Sequence, residues 1–211
     1  HDIPHSANRF RAAHGLGDRR VVMYSGNHGF GLPLDTLLEA ALAFRNDPRI
    51  AFVFIGEGVR KREVAEWIME HRVENAVSLP YQPLAAVSHS LSAADAHVVS
   101  IGDNLSGIIH PCKIYGAMAV SRPILLLGPI PNYASDLVAN NRIGWLVTHG
   151  DVTGMKAVLD QIAGGDRSEL AAMGGRARTV IEQHYRQHDL VSRFCDRVEV
   201  TMAHGPRKHA A

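Results

Sequence analysis

Gly107-Ile-Ile-His-Pro-Cys-Lys-Ile-Tyr-Gly-Ala-Met-Ala-Val-Ser-Arg-Pro-Ile-Leu-Leu-Leu127 reads as a loop, a helix, a sharp turn and a buried strand in succession. The helix is expected over Pro111–Val120 and the strand over Pro123–Leu127. That order puts Lys113 in the first turn of a helix. A helix start carries partial positive charge, so a cation there costs roughly 0.3–1 kcal/mol. A lysine in this turn, behind a glycine-containing loop and a proline, predicts an anion beside it. Free amide N–H groups at a helix start are a ready anion site, and a phosphate is the obvious occupant.

The same alternation extends outward in both directions. Arg20–Ser25, Ala51–Ile55, Ala76–Leu79, Ala96–Ser100 and Gly144–Val147 are short apolar runs that read as strands. Between them, Leu34–Phe44, Arg60–His71 and Leu84–Leu91 show helical spacing. Thr153–Ile162, Arg167–Tyr185 and His188–Met202 follow as three more helices. Continuous apolar strands alternating with helices require a parallel sheet covered on both faces. The expected fold is therefore α/β: a Rossmann-like parallel sheet of about six strands, helices on both faces, and a C-terminal helical extension.

Composition narrows the function. The 211 residues are 46% hydrophobic and 20% charged, an ordinary globular balance. The formal net charge of +1 makes no electrostatic case for nucleic acid as a partner. The 13 histidines show no metal-ligand spacing, so no metal and no cofactor is expected. Those near the ends, His1, His5, His204 and His209, are expected to be solvated. Cys112 and Cys195 offer neither a disulfide framework nor a C-x-x-C motif, which fits a reducing, cytoplasmic location. Cys112 is expected to be a small buried residue. No segment approaches the ~18 apolar residues of a membrane span. The opening His1-Asp-Ile-Pro reads like the middle of a longer polypeptide, with a mobile start and a disordered tail over 204–211.

Ligands of an open parallel sheet bind beyond the carboxyl ends of its strands. Those ends carry Ser25-Gly-Asn-His-Gly-Phe-Gly31, Gly56-Glu-Gly58, Pro80-Tyr-Gln-Pro83, Ile101-Gly-Asp-Asn-Leu-Ser-Gly107 and Gly128-Pro-Ile-Pro131. Turn chemistry alone explains any one of them. Together they offer glycine backbone that a pyrophosphate can approach closely. Gly26-Asn-His-Gly-Phe-Gly31 lacks the G-x-G-x-x-G spacing of dinucleotide sites, although Glu57 leaves a dehydrogenase as an alternative. Asp103 is the sole acid near the Lys113 motif. It either touches a ligand or begins a turn with Asn104.

Several segments in chain order resemble one family. They are Tyr24-Ser-Gly-Asn27, Leu34-Asp-Thr-Leu-Leu-Glu-Ala40, Phe52-Val-Phe-Ile-Gly-Glu-Gly58, Leu79-Pro-Tyr-Gln-Pro83, Ser92-Ala-Ala-Asp95, Pro111-Cys-Lys-Ile-Tyr-Gly-Ala-Met-Ala119 and Arg122-Pro-Ile124. Over about Arg20–Tyr185 the chain resembles the C-terminal, donor-binding half of bacterial GT-B glycosyltransferases of family 4, colanic-acid and capsule type. The resemblance implies residues 1–19 as a linker from a missing N-terminal half and 20–185 as the nucleotide-sugar-binding domain. It implies 186–203 as a helix that crosses back to the other half.

The implied activity is retaining, metal-independent sugar transfer. The donor would be a nucleoside-diphosphate sugar, a UDP-sugar first. The acceptor, a glycan or a lipid-linked glycan, would be held by the missing half, and the whole protein could lie at the inner face of the membrane. By this likeness Gly26, Asn27 and Gly29 border the diphosphate, Gly56 and Glu57 the nucleotide, and Tyr81 the base. Ser106, Gly107, Pro111 and Cys112 approach the phosphates and sugar. Lys113 and Asp103 are the candidates for catalysis. Relatives often carry a glutamate at the position of Gly116. A non-catalytic nucleotide-sugar-binding module and a sugar-nucleotide epimerase are the alternatives.

Overall fold

The computed structural model describes residues 2–204. Six strands, β1 (Arg20–Ser25), β2 (Ile50–Ile55), β3 (Ala76–Leu79), β4 (Ala96–Ser100), β5 (Ile124–Leu127) and β6 (Gly144–Val147), form one sheet. They pair in the order β3-β2-β1-β4-β5-β6, every neighbour parallel. β2, β4 and β5 are buried along their whole length, and β1 in all but its last residue. The edge strands β3 and β6 are only partly buried. That gradient explains the continuous apolar runs, because both faces of the inner strands meet helices.

Alternate residues serve opposite faces. Val22, Tyr24, Phe52 and Phe54 pack with α2 (Asp35–Ala41), α7 (Val152–Gly164) and Val64 of α3 (Lys61–Glu70). On the other face, Val99, Ile124 and Leu126 pack with α5 (Lys113–Ala119), α6 (Tyr133–Asn141) and α8 (Arg167–His184). A third cluster on that same side joins Val21, Met23 and Val53 to Phe10 and Leu16. The remaining helices are α1 (Arg9–Ala13), α4 (Val87–Ser92) and α9 (Gln187–His204). No helix among the described residues is long and apolar enough to cross a membrane.

Three expectations need correction. The start of the chain is packed, not mobile. Arg11 is buried and donates to the carbonyls of Ala93 (2.5 Å), Gly17 (2.8 Å) and Arg19 (2.5 Å), while pairing with buried Asp95 at 3.3 Å. His5 is likewise half-buried against the Ala94 carbonyl, 3.3 Å away. Second, α6 was not anticipated. Asn132 starts it with a full capping box, accepting from the Ala134 and Ser135 amides while Ser135 Oγ accepts from Asn132 N. Third, α5 is seven residues long and begins at Lys113, two residues later than expected. Cys112 before it is exposed, not buried. The tail expected over 204–211 lies, from Gly205 onward, outside the described residues.

Two glycines show how space is used around the site. Gly56 has φ +137°, and a Cβ there would stand 1.9 Å from the Gly26 carbonyl oxygen. Gly116 lies in α5, where a Cβ would meet only Leu91 Cδ1 at 3.6 Å. Gly56→Ala is expected to destabilise the chain by about 2–4 kcal/mol. Gly116→Ala should stabilise it by about 0.5–1 kcal/mol through helix propensity. Urea denaturation of both variants checks the contrast, and a neutral Gly56→Ala would contradict the packing described.

Candidate functional site

β1 and β4 are neighbours whose following connections leave in opposite directions, to β2 on one side and β5 on the other. This is the topological switch point of the sheet, where a crevice opens beyond the carboxyl ends. The loops around it are tied together through backbone. Gly26 N donates to Ile55 O at 2.9 Å, His28 N to Glu57 O at 2.8 Å and Arg60 N to His28 O at 3.0 Å. Tyr24 Oη donates to Asn27 O at 2.5 Å. Gly26 (φ +146°) and Gly56 have the left-handed backbone this contact demands.

Lys113 reaches into the switch point from the start of α5. Its Nζ lies 3.7 Å from the centroid of the Tyr24 ring. A Cβ on Gly26 would stand 3.0 Å from it, so the ammonium is beneath the glycine loop. Nζ is buried and has no hydrogen-bond partner among the described residues. Burial pushes the Lys113 ammonium down to about 7. His28 and His97 near it are pushed down to about 4, chiefly by their own burial and in part by Lys113 itself. Both histidines are neutral at pH 7, and burial holds the Tyr24 phenol well above its usual range. Lys113 is therefore a charge with no counter-charge paired to it among the described residues. Beside it opens a cavity of about 210 Å³, lined by Ser25, Val87, Leu91, Cys112, Lys113 and Gly116 among others.

The geometry shifts weight from the helix to the lysine. α5 is short, and the amides at its start are largely used. Cys112 N donates to His110 O, Ile114 N to Pro111 O and Tyr115 N to Cys112 O. An anion at this point would be held by the buried ammonium and the glycine loops more than by the helix dipole.

The other candidates divide into two groups. Asn27 supplies its carbonyl to Tyr24, and its side chain lies against Gly29 and Gly58. Glu57 and Tyr81 are exposed on the loops after β2 and β3. Ser106, Gly107 and Pro111 line a neighbouring cavity of about 280 Å³ together with Asn132 and Tyr133. Asp103 is exposed in a one-turn 3-10 segment, with no hydrogen bond or ion pair from its side chain among the described residues. Sequence reasoning gave no site role to Tyr24, which it read as a strand end and as part of the Tyr24–Asn27 likeness, or to His28 in the loop that follows. At the start of α3, Arg60 pairs with Asp35 (2.9 Å) and Glu63 (2.7 Å), and Lys61 Nζ donates to the Leu79 carbonyl. Among the described residues no group of three or more His, Cys, Asp or Glu is placed to hold a metal ion.

No family model matches the chain. It is 27% identical over 176 residues to the probable glycosyltransferase WbjE of Pseudomonas aeruginosa, covering 83% of this chain and 43% of that protein. It is 29% identical over 158 residues to the putative colanic acid biosynthesis glycosyltransferase WcaL of Escherichia coli K12, covering 72% of this chain and 36% of that protein. Among solved structures, Anabaena HepE in complex with UDP-glucose superposes with a TM-score of 0.77 at 16% identity, over 94% of this chain and 54% of that one. The chain is thus a homologue of bacterial glycosyltransferases and has the fold of the C-terminal half of a GT-B enzyme. It spans less than half the length of these two curated relatives.

The burial of Lys113 has a measurable cost. Its folded-state value near 7 lies below the ordinary lysine value of 10.5. Between those two pH values the unfolded chain holds a proton that the folded chain has shed, so stability rises with pH across that window. The penalty is fully present below pH 7. Lys113→Met is expected to stabilise the ligand-free chain at pH 6.5 by on the order of 1–3 kcal/mol. The difference should shrink toward pH 10. Chemical denaturation at both pH values checks this, and a variant less stable than the parent at pH 6.5 would contradict it.

Proposed function

We propose that the chain is the donor-binding half of a retaining, metal-independent glycosyltransferase. It takes a sugar from a nucleoside-diphosphate sugar, a UDP-sugar first, and passes it to a glycan or lipid-linked acceptor. The observation that carries this reading is the buried Lys113 ammonium, unpaired among the described residues, beneath two touching glycine loops at the switch point. A diphosphate supplies the charge that the site lacks. Developing negative charge on the departing diphosphate is stabilised by a cation already in place, which costs no reorganisation during reaction. Lys113 is the residue in that role, with the backbone of Gly26 and Gly56 shaping the approach. Asp103, on its exposed loop, is proposed to face the donor sugar.

The homologues named as glycosyltransferases support the class, and the complex of HepE with UDP-glucose supports the donor. The acceptor half is proposed to precede this chain. The exposed stripe Leu190, Phe194, Val198 and Met202 on α9, spaced every four residues, supports the role of that helix as the segment crossing to the acceptor half. Both cysteines are free and exposed, which fits a cytoplasmic site of action. A second reading, a binding module without catalysis, is favoured by one observation. The cavity wall at Gly116 carries no side chain and the cavity has no carboxylate among its lining residues.

Residues 1–211 alone are expected to bind UDP and to transfer no sugar. Thermal unfolding with and without UDP, GDP and a nicotinamide dinucleotide should show a shift of several degrees with one diphosphate only. Lys113→Met should abolish that shift. A shift from the dinucleotide alone would restore the dehydrogenase reading. Product formed from the donor alone would restore the epimerase.

A further inference from the structure

We propose that Tyr24 is the positioning residue of this site, holding the Lys113 ammonium on its ring face while its hydroxyl fixes the glycine loop above. The proposal rests on the reading of the site as a diphosphate site. Tyr24 occupies a place that needs explanation. It is completely buried in β1, yet it has a polar tip at the carboxyl edge of the sheet, next to the crevice. Both ends of the side chain are engaged. Its hydroxyl donates to the Asn27 carbonyl at 2.5 Å, which holds the turn of the Gly26 loop. Its ring lies 3.7 Å from Lys113 Nζ.

The ring contact answers a physical problem that the rest of the pocket leaves open. A buried ammonium without hydrogen bonds tends to lose its proton or to swing out to water. Neither His28 nor His97 holds it: both are neutral at pH 7 and offer no counter-charge, and Nζ has no hydrogen-bond partner among the described residues. His28 packs edge-on to Tyr24, ring centroids 4.9 Å apart. The negative face of the Tyr24 phenol ring does favour a cation. A carboxylate in the same place would hold the lysine more strongly, but it would compete with an incoming phosphate. A neutral ring holds the charge without filling the anion position. One side chain thus couples the cation and the loop, so that both face the same point.

This predicts a behaviour that a purely structural tyrosine would not show. Leucine at 24 risks unfolding the core, so the test uses a series of nearly constant shape: Tyr24→Phe, then the 4-fluoro and pentafluoro analogues of phenylalanine at the same position. Fluorination drains the ring face step by step. Lys113 is followed by NMR through its 13Cε resonance, and UDP and uridine binding are measured by calorimetry. Tyr24→Phe should keep the Lys113 midpoint while loosening the loop. From phenylalanine to the pentafluoro ring the midpoint should fall by about one unit and UDP affinity by about tenfold. Uridine, which has no phosphate, should bind unchanged. A midpoint flat across the series overturns the proposal, as does equal loss of UDP and uridine. A parent chain that binds no UDP would sink the donor reading instead, and the Lys113 midpoint would still decide the role of Tyr24.

Discussion

A buried ammonium without a counter-charge is the constraint on which this structure turns. Lys113 Nζ is sealed from water and unbonded among the described residues. Such an arrangement costs folding free energy, and it persists only because the surrounding core is large enough to offset it. Phe52, Phe54, Leu125 and Leu127 are all but completely buried, and the inner strands tolerate one misfit at their carboxyl ends. The misfit is local. It lies at the sheet's switch point, beneath two glycine loops so close that a Cβ on Gly56 would strike the Gly26 carbonyl. Stability has been given up at the place where an anion would restore it.

The sheet was legible because parallel topology imposes a severe sequence rule. Strands covered on both faces must be apolar throughout, and Ala51–Ile55 and Ile124–Leu127 obey it without exception. What escaped was structure that rests on other forces. α1 has five residues, too few for any periodicity, and it is held by the Arg11 guanidinium reaching the Ala93 carbonyl, 82 residues away. α6 is announced by Asn132 and Ser135, a capping signal without the usual glutamate, in a stretch that also reads as a turn. Neither contact nor cap appears in a hydrophobic pattern.

The site was half legible. Lys113 stood out because a cation in a first helical turn contradicts the local field, and glycines mark close backbone approach. Yet the warrant drawn from the helix was too strong. α5 has seven residues and its first amides are largely occupied, so the burial of the lysine carries the argument in place of the dipole. Tyr24 and His28 were invisible because their importance is spatial. A tyrosine near the end of a strand is ordinary, and only the fold brings Lys113, 89 residues later, onto its ring. The exposure of Cys112 follows from the same shortening of α5, which leaves that residue before the helix.

Proton uptake on binding tests the central claim most directly. At pH 8 a lysine with a midpoint of about 7 is mostly deprotonated in the free chain. A diphosphate against it would favour the ammonium and draw a proton from solution. A nucleoside-diphosphate sugar has no phosphate group that titrates near pH 8, so the proton belongs to the protein. Calorimetry of UDP-glucose binding in two buffers of different ionisation enthalpy counts it. The account predicts uptake of about one proton per donor bound, absent in Lys113→Met. Binding with no proton exchanged would contradict it.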